Sequence, residues 1–174
     1  MTTVDLDPWR SFGAALDFAC ARVAAEELTD REAADGQQYV LRVMRAVADS
    51  ALIAVDPDRP AFIQMLDSVR WLGAAGPDID YDVAIVRPGE RYRITGRRGG
   101  ATYAGITVYG YAGAAGASGI VANVDIDDLA DRGDGTFVYE LRDPQAARII
   151  VRQYFHDRAT QPRGSWEIER PGSP

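Results

Sequence analysis

The sequence predicts an α+β fold in which N-terminal helices are followed by an antiparallel β-domain, built as a jelly-roll-like sandwich or as a barrel. Apolar residues recur at helical spacing in the first 70 residues, whereas the chain beyond residue 82 alternates short strand-like runs with turn residues. Helices come before strands instead of alternating with them, so a parallel βαβ sheet is not predicted. We expect one domain over 1–174, with a helical segment at 1–70 and a sandwich at 71–170.

Three helices are predicted in the helical segment. The first begins at Asp7, a favoured cap residue that precedes Pro8 at the first helical position, and extends to about residue 28. The second spans about 31–55 and ends before the prolines that follow. A short third helix is predicted at about 60–68, where four large apolar residues stand close together: Phe62, Ile63, Met65 and Leu66.

Seven strands are predicted in the rest of the chain. Turn residues such as Pro88-Gly89 and Asp143-Pro144 separate them. The predicted strands are 82–87, 91–96, 102–109, 119–125, 136–142, 147–155 and 164–169. Strands this short, with turns at this spacing, are typical of antiparallel sandwiches and barrels.

Composition excludes several classes of function. The net charge of −7 argues against nucleic acid and anionic membrane surfaces as partners. All 19 basic residues are arginine, which excludes a Schiff base and a P-loop lysine. The single Cys20 and the single His156 exclude an intrachain disulfide, a three-histidine zinc site and a Cys/His zinc cluster. We therefore predict that the protein uses no metal and no cofactor.

The predicted cellular location rests on two sequence features, the N-terminal residues and the length of the apolar runs. Residues 1–7 do not have the charged and apolar regions of a signal peptide. No apolar run approaches the roughly 20 residues that cross a bilayer. We expect a cytoplasmic protein with no membrane partner.

The glycine-rich stretch at 110–119 resembles a phosphate-binding loop only superficially. Its glycines recur every third residue, so the close Gly-x-Gly pair of a dinucleotide fingerprint is missing. The residues after it are strand-like, so no helix N-terminus follows to receive a phosphate. We interpret it as a connection between two antiparallel strands, either a plain mobile loop or a lid over a pocket.

A second stretch carries alternating acids. Asp78, Asp80 and Asp82 would share one side of an extended chain, where their oxygens suit a hard cation such as magnesium or calcium. The simpler interpretation, which we favour, is a solvated acidic loop before a strand.

The candidate site lies on alternating faces of three predicted strands. In 147–155, one face carries arginine and tyrosine, and His156 follows on the same side. Strand 102–109 offers Tyr103, Thr107 and Tyr109, and strand 91–96 offers Arg93 between Arg91 and Thr95. If these faces converge, they form an aromatic surface with guanidinium donors that suits a carboxylate or an enolate. The alternative is the solvent face of a sheet buried on one side only.

The roles we assign follow from this chemistry. Tyr109 and Arg152 would stabilise developing negative charge, and His156 would move a proton. The predicted substrate-binding residues are Arg93, Tyr103 and Tyr154.

The strand half of the chain resembles a known bacterial family. The runs "YRITGRRGGATYAGITVYG" (92–110), "DGTFVYEL" (134–141) and "ARIIVRQYFHDRATQPRGSWEIER" (147–170) resemble the DUF1214 family, and 71–86 is similar to the stretch that precedes it there. The most specific part is the strand that ends in "RQYF" (152–155). The resemblance implies an antiparallel sandwich of jelly-roll character and supplies no catalytic residues.

Our leading functional hypothesis is a small-molecule enzyme of bacterial secondary or lipid metabolism. It would act without a cofactor, as a cyclase, isomerase or lyase, on a hydrophobic substrate held in a sandwich or barrel pocket. The alternative is a non-catalytic small-molecule-binding or assembly module, for example a homodimer through the helices. A large closed cavity would favour the first, and a filled sandwich with an apolar helix face would favour the second.

Overall fold

The computed structural model describes residues 7–52, 56–67, 76–110, 119–131 and 133–172. Its contacts divide the chain into a helical unit, Met1–Val47, and a larger unit, Ala48–Pro174. In chain order, the elements are α1 (Asp7–Ala24), α2 (Asp30–Leu52), β1 (Ile63–Leu66), β2 (Ile79–Ile85), β3 (Arg91–Arg97), β4 (Tyr103–Gly110), β5 (Ile120–Asp125), a single 3₁₀ turn (Ile126–Asp128), β6 (Thr136–Arg142), β7 (Ala146–Tyr154) and β8 (Ser165–Glu169).

The helical unit is a hairpin whose second helix begins at a capping box. The backbone N–H of Thr29 donates to a Glu32 carboxylate oxygen at 2.9 Å, and the Glu32 N–H donates back to the Thr29 hydroxyl at 3.4 Å. Further along α2, Gly36 faces α1: a Cβ at this position would lie 2.7 Å from Cγ1 of Val23. A glycine inside a helix is therefore explained by the close approach of the two helices.

The larger unit is a two-layer antiparallel sandwich. One sheet has five strands in the order β1-β2-β7-β4-β5, and the other has three in the order β6-β3-β8. Side chains from both sheets fill the space between them, and the fully buried ones include Tyr92, Ile94, Ile106, Ile149 and Val151. The predicted α+β class, with helices before an antiparallel sandwich, is thereby confirmed, and among the described residues the strands form two sheets instead of a closed barrel.

All seven predicted strands are present, with ends shifted by at most three residues. The third predicted helix is wrong, because Ile63–Leu66 forms β1 and pairs with β2 at the edge of the five-stranded sheet. A short apolar run has no detectable period, and here pairing with an exposed strand edge satisfied its backbone groups.

The glycine-rich stretch connects β4 to β5, two antiparallel neighbours. At its ends, the N–H of Gly110 donates to the carbonyl of Gly119 at 2.9 Å. Residues 111–118 lie outside the described residues, so the suggestion of a lid stays a prediction.

Candidate functional site

The candidate site is the outer face of the five-stranded sheet, at its three central strands. Along β7, alternate side chains such as Ile149, Val151 and Gln153 are buried between the sheets, which leaves the intervening ones on the outer face. We call the resulting cluster the tyrosine–arginine face. Its members are Tyr81, Tyr103, Tyr109, Arg148, Arg152 and Tyr154.

Strand register brings these side chains together. Arg152 of β7 is paired with Tyr81 of β2 on one side and with Gly105 of β4 on the other. One step along, Tyr154 is paired with Tyr103, and their ring centroids lie 5.4 Å apart at an angle of 32°. Arg152 is therefore the centre of the face, with a phenol on each flanking strand.

Gly105 explains how Tyr103 reaches this position. A Cβ on residue 105 would lie 2.8 Å from Cζ of Tyr103 and would overlap the phenol oxygen. The ring of Tyr103 thus lies over its own strand, in the space that a side chain at 105 would occupy, and beside Arg152.

Arg152 is held by neutral groups. Its Nη2 donates to the hydroxyl of Thr107 and, at 3.2 Å, to Oδ1 of Asn123, which also accepts from the Thr107 hydroxyl at 2.7 Å. Its Nε is buried and has no hydrogen-bond partner.

Arg148, four residues earlier on β7, is the second arginine of the tyrosine–arginine face. Its guanidinium carbon lies 5.1 Å from the centre of the Tyr109 ring, and its Nε is also buried without a partner. Within the described residues, neither Arg148 nor Arg152 forms an ion pair with a carboxylate, whereas Arg87, Arg98 and Arg170 do.

The pKa values of Tyr81 and Arg152 are both shifted upward in this environment. Burial raises the pKa of the Tyr81 phenol, and the neighbouring Tyr154 hydroxyl raises it further. Burial lowers the pKa of Arg152, but its polar contact with Tyr154 and the nearby Tyr103 and Tyr109 outweigh burial, so the net shift is upward. At neutral pH Tyr81 therefore presents a phenol hydroxyl beside the charged guanidinium of Arg152.

The structure places four of the six predicted site residues on one sheet face: Tyr103, Tyr109, Arg152 and Tyr154. Tyr103 and Tyr154 lie beside Arg152, whereas Tyr109 is paired with Arg148 further along the strands. The structure does not bring Arg93 to them. Arg93 lies on β3 in the other sheet, where its guanidinium is 3.5 Å from Glu140 and 3.9 Å from Glu169. Alternation along a strand predicts which side chains share a face, but not which strands share a sheet.

His156 also lies apart from the cluster's strands. It is exposed, beyond the end of β7, and its backbone N–H donates to the Gln161 side chain at 2.7 Å. The structure therefore gives no geometric support for its predicted part in proton transfer.

Sequence reasoning missed Tyr81 and Asn123. The alternation Ile79, Tyr81, Val83 would have predicted a strand that starts at residue 79, but the three aspartates in the same stretch were interpreted as a loop. Asn123 is a polar residue at the centre of β5. Its position opposite Thr107 depends on the register between β4 and β5, which no local sequence pattern indicates.

The predicted solvated acidic loop is wrong for two of its three aspartates: Asp78 is exposed in the turn before β2, whereas Asp80 and Asp82 lie on the strand. Asp80 and Asp82 are only 2% and 3% exposed, and they point inward from β2. Asp80 accepts from Arg158 at 2.8 Å and from Arg163 at 3.1 Å, while Asp82 accepts from Arg163 and, at 2.9 Å, from the indole of Trp166. No group of three metal-binding side chains occurs in the described part of the chain.

The fold and the face together define a class: a helical hairpin followed by a two-sheet antiparallel sandwich with a tyrosine–arginine outer face. The crystal structure of an uncharacterized protein from Burkholderia cenocepacia has a similar fold, with a TM-score of 0.81 and 25% sequence identity over 97% of this chain. The chain spans only 51% of the length of that protein. No protein-family model matches the sequence, and no curated protein matches it.

Among the described residues, neither helix combines the length and the apolar character that a membrane span requires.

Proposed function

We propose that the tyrosine–arginine face binds a small molecule with an anionic group and an apolar body. The observation that carries the proposal is Arg152: a half-buried, charged guanidinium with an unpartnered Nε and no carboxylate partner among the described residues. A buried charge without a counter-ion is costly, and an anionic ligand would offset that cost. The phenols of Tyr81 and Tyr154 supply further donors, and the buried apolar pair Val83 and Ile150 lies next to Tyr81 and Arg152 on the same sheet face.

The test is the binding of a panel of hydrophobic carboxylic acids to the full chain and to two matched arginine variants. Arg152→Ala should weaken binding at least tenfold, which is the lower end for removing a charged hydrogen-bond donor. Arg93→Ala is the control, because Arg93 is a half-exposed arginine on the opposite sheet that pairs with glutamates. Equal affinities in the two variants, or no binding to the wild type, would reject the proposal.

A second candidate function is catalysis by the same face, as a cofactor-independent cyclase, isomerase or lyase. Phenol and guanidinium donors fixed beside a bound anion would stabilise negative charge that develops on a substrate. The raised pKa of Tyr81 keeps it a donor, which suits charge stabilisation and does not suit proton abstraction. An acid that binds in the panel and is recovered chemically unchanged after long incubation would argue for binding alone.

A third candidate is assembly through the helical unit. Three aromatic or aliphatic side chains of the helices are largely exposed, Trp9 at 70%, Phe18 at 68% and Leu41 at 59%. Two copies of the hairpin related by a two-fold axis would form a four-helix bundle that buries such side chains. Binding and assembly do not exclude each other, since every member of the tyrosine–arginine face lies in the larger unit.

The similarity to the DUF1214 family stays part of this proposal. The two antiparallel sheets over the matching segment are compatible with the sandwich that the resemblance implies. Cytoplasmic location and a setting in bacterial metabolism are proposed on the sequence alone.

A further inference from the structure

We infer that the ligand of the tyrosine–arginine face is a planar, conjugated monocarboxylate, and that Gly105 creates the surface that selects it. The inference rests on the proposed function, because it names the class of anion that Arg152 would bind. It adds a shape requirement, a charge requirement and a specificity-determining residue.

The shape requirement comes from Tyr103 and Tyr154. Their rings are paired across β4 and β7 with centroids 5.4 Å apart, within the range of an aromatic pair. Because Tyr103 extends over Gly105, its ring lies along the sheet beside Arg152 instead of standing away from it. A flat π-surface next to a guanidinium favours a ligand whose carboxylate and ring lie in one plane.

The charge requirement comes from the number of free donors. Among the described residues, Arg152 is the only guanidinium at the centre of the face, and its Nη2 is already used by Thr107 and Asn123. Arg148 lies four residues along β7, roughly 13 Å away at the rise of a β-strand, and its guanidinium lies over Tyr109. A single carboxylate matches one guanidinium and neighbouring phenols, whereas a phosphate monoester carries about two charges and more acceptor oxygens.

Gly105 offers a way to remove the aromatic surface without touching the anion-binding group. The atoms that a Cβ at residue 105 would meet first are the hydroxyl and ring carbons of Tyr103, the outer part of a side chain that can rotate away. Gly105→Ala should therefore displace the Tyr103 ring and leave Arg152, Thr107 and Asn123 in place.

The experiment compares benzoate, cyclohexanecarboxylate and phenyl phosphate by NMR titration of the full chain. Benzoate and cyclohexanecarboxylate have the same number of carbons and the same charge, and differ in the planarity of the ring. The wild type should bind benzoate about tenfold more tightly than cyclohexanecarboxylate, the order expected from one aromatic stacking contact. Gly105→Ala should bring the two affinities within about threefold of each other, and Arg152→Ala should weaken both.

The outcomes separate this inference from the proposed function. If neither carboxylate binds, or if Arg152→Ala binds both as the wild type does, the proposed function fails. If the wild type binds both carboxylates equally, the proposed anion binding is retained and the inferred preference for a planar ligand is wrong.

Binding of phenyl phosphate as tight as that of benzoate would overturn the inferred preference for a monocarboxylate. Tyr103→Leu, which removes the ring without changing the backbone, should reproduce the Gly105→Ala result; a retained preference for benzoate in both variants would overturn the role of the aromatic surface.

Discussion

At the scale of single residues, Asp80 and Asp82 show how a sandwich interior accepts charge. Both carboxylates are buried, and their arginine partners come from the connection between β7 and β8. Arg163 contacts both acids, so it ties that connection to β2. Removing one partner of a buried ion pair costs more than the intact pair contributes, because the remaining charge is left without compensation.

Asp82 has a specific pH dependence. Burial raises its pKa above the ordinary value of 3.8, partly opposed by Arg163, so the folded chain binds this proton more tightly than the unfolded chain does. Its contribution to the free energy of unfolding is therefore largest below its ordinary pKa and is lost as the pH rises through the raised folded-state pKa.

We predict opposite outcomes for two variants of this network. Asp82→Asn should leave stability at neutral pH within about 1 kcal/mol, because an amide oxygen can still accept from Trp166, and it should flatten the pH dependence. Arg163→Ala should cost roughly 2 kcal/mol, a value reduced from that of fully buried pairs because Arg163 is partly exposed. Urea unfolding at several pH values measures both, and equal losses in the two variants would contradict the assignment.

At the scale of elements, the sequence was informative wherever side chains alternate over a run of six or more residues. The ends of strands β3 to β8 were predicted to within one residue, because apolar and polar residues alternate along a strand that is buried on one face. The four-residue β1 was predicted as a helix. The start of β2 was predicted three residues too late, because its two buried aspartates are residues typical of loops. Both errors come from tertiary contacts, an edge pairing and an ion network, that no local pattern records.

The same reasoning separates what was predictable in the site from what was not. Alternation placed Arg152 and Tyr154 on one face of β7, and Tyr103 and Tyr109 on one face of β4. It could not show that β3 belongs to the other sheet, so Arg93 was grouped with side chains that it does not contact. A site built across strands depends on pairing order, and pairing order is a property of the whole sheet.

The helical hairpin provides a test at the same scale. Alanine is a better helix former than glycine by about 1 kcal/mol, so Gly36→Ala would stabilise an isolated α2. In the hairpin, the new methyl group would meet the stiff, β-branched Val23, and we expect Gly36→Ala to destabilise it.

A double-mutant cycle decides between packing and propensity. Gly36→Ala combined with Val23→Ala should be more stable than the sum of the single variants predicts, because shortening residue 23 leaves room for the new methyl group at position 36. Thermal unfolding followed by circular dichroism is the measurement, and additive effects would mean that the two helices do not pack at Gly36.

At the scale of the whole molecule, the two units differ in how completely they bury their side chains. The sandwich has a core of large residues with almost no exposed surface, while residues 7–46 contain no fully buried position among those whose burial is described. A two-helix hairpin has too little apolar surface to form a core of its own, so its exposed apolar side chains require a further surface.

We predict that this surface is a second copy of the chain. Light scattering should give twice the chain mass of 18.9 kDa at micromolar concentration, and Trp9→Glu combined with Phe18→Glu should shift the protein to a monomer. Val138→Glu, at a 47% exposed apolar residue on β6, is the matched control and should leave the mass unchanged. A wild-type monomer would contradict this prediction. Since the tyrosine–arginine face lies in the other unit, monomeric variants should keep the affinity for carboxylates, and a parallel loss of binding would mean that assembly and ligand recognition are coupled.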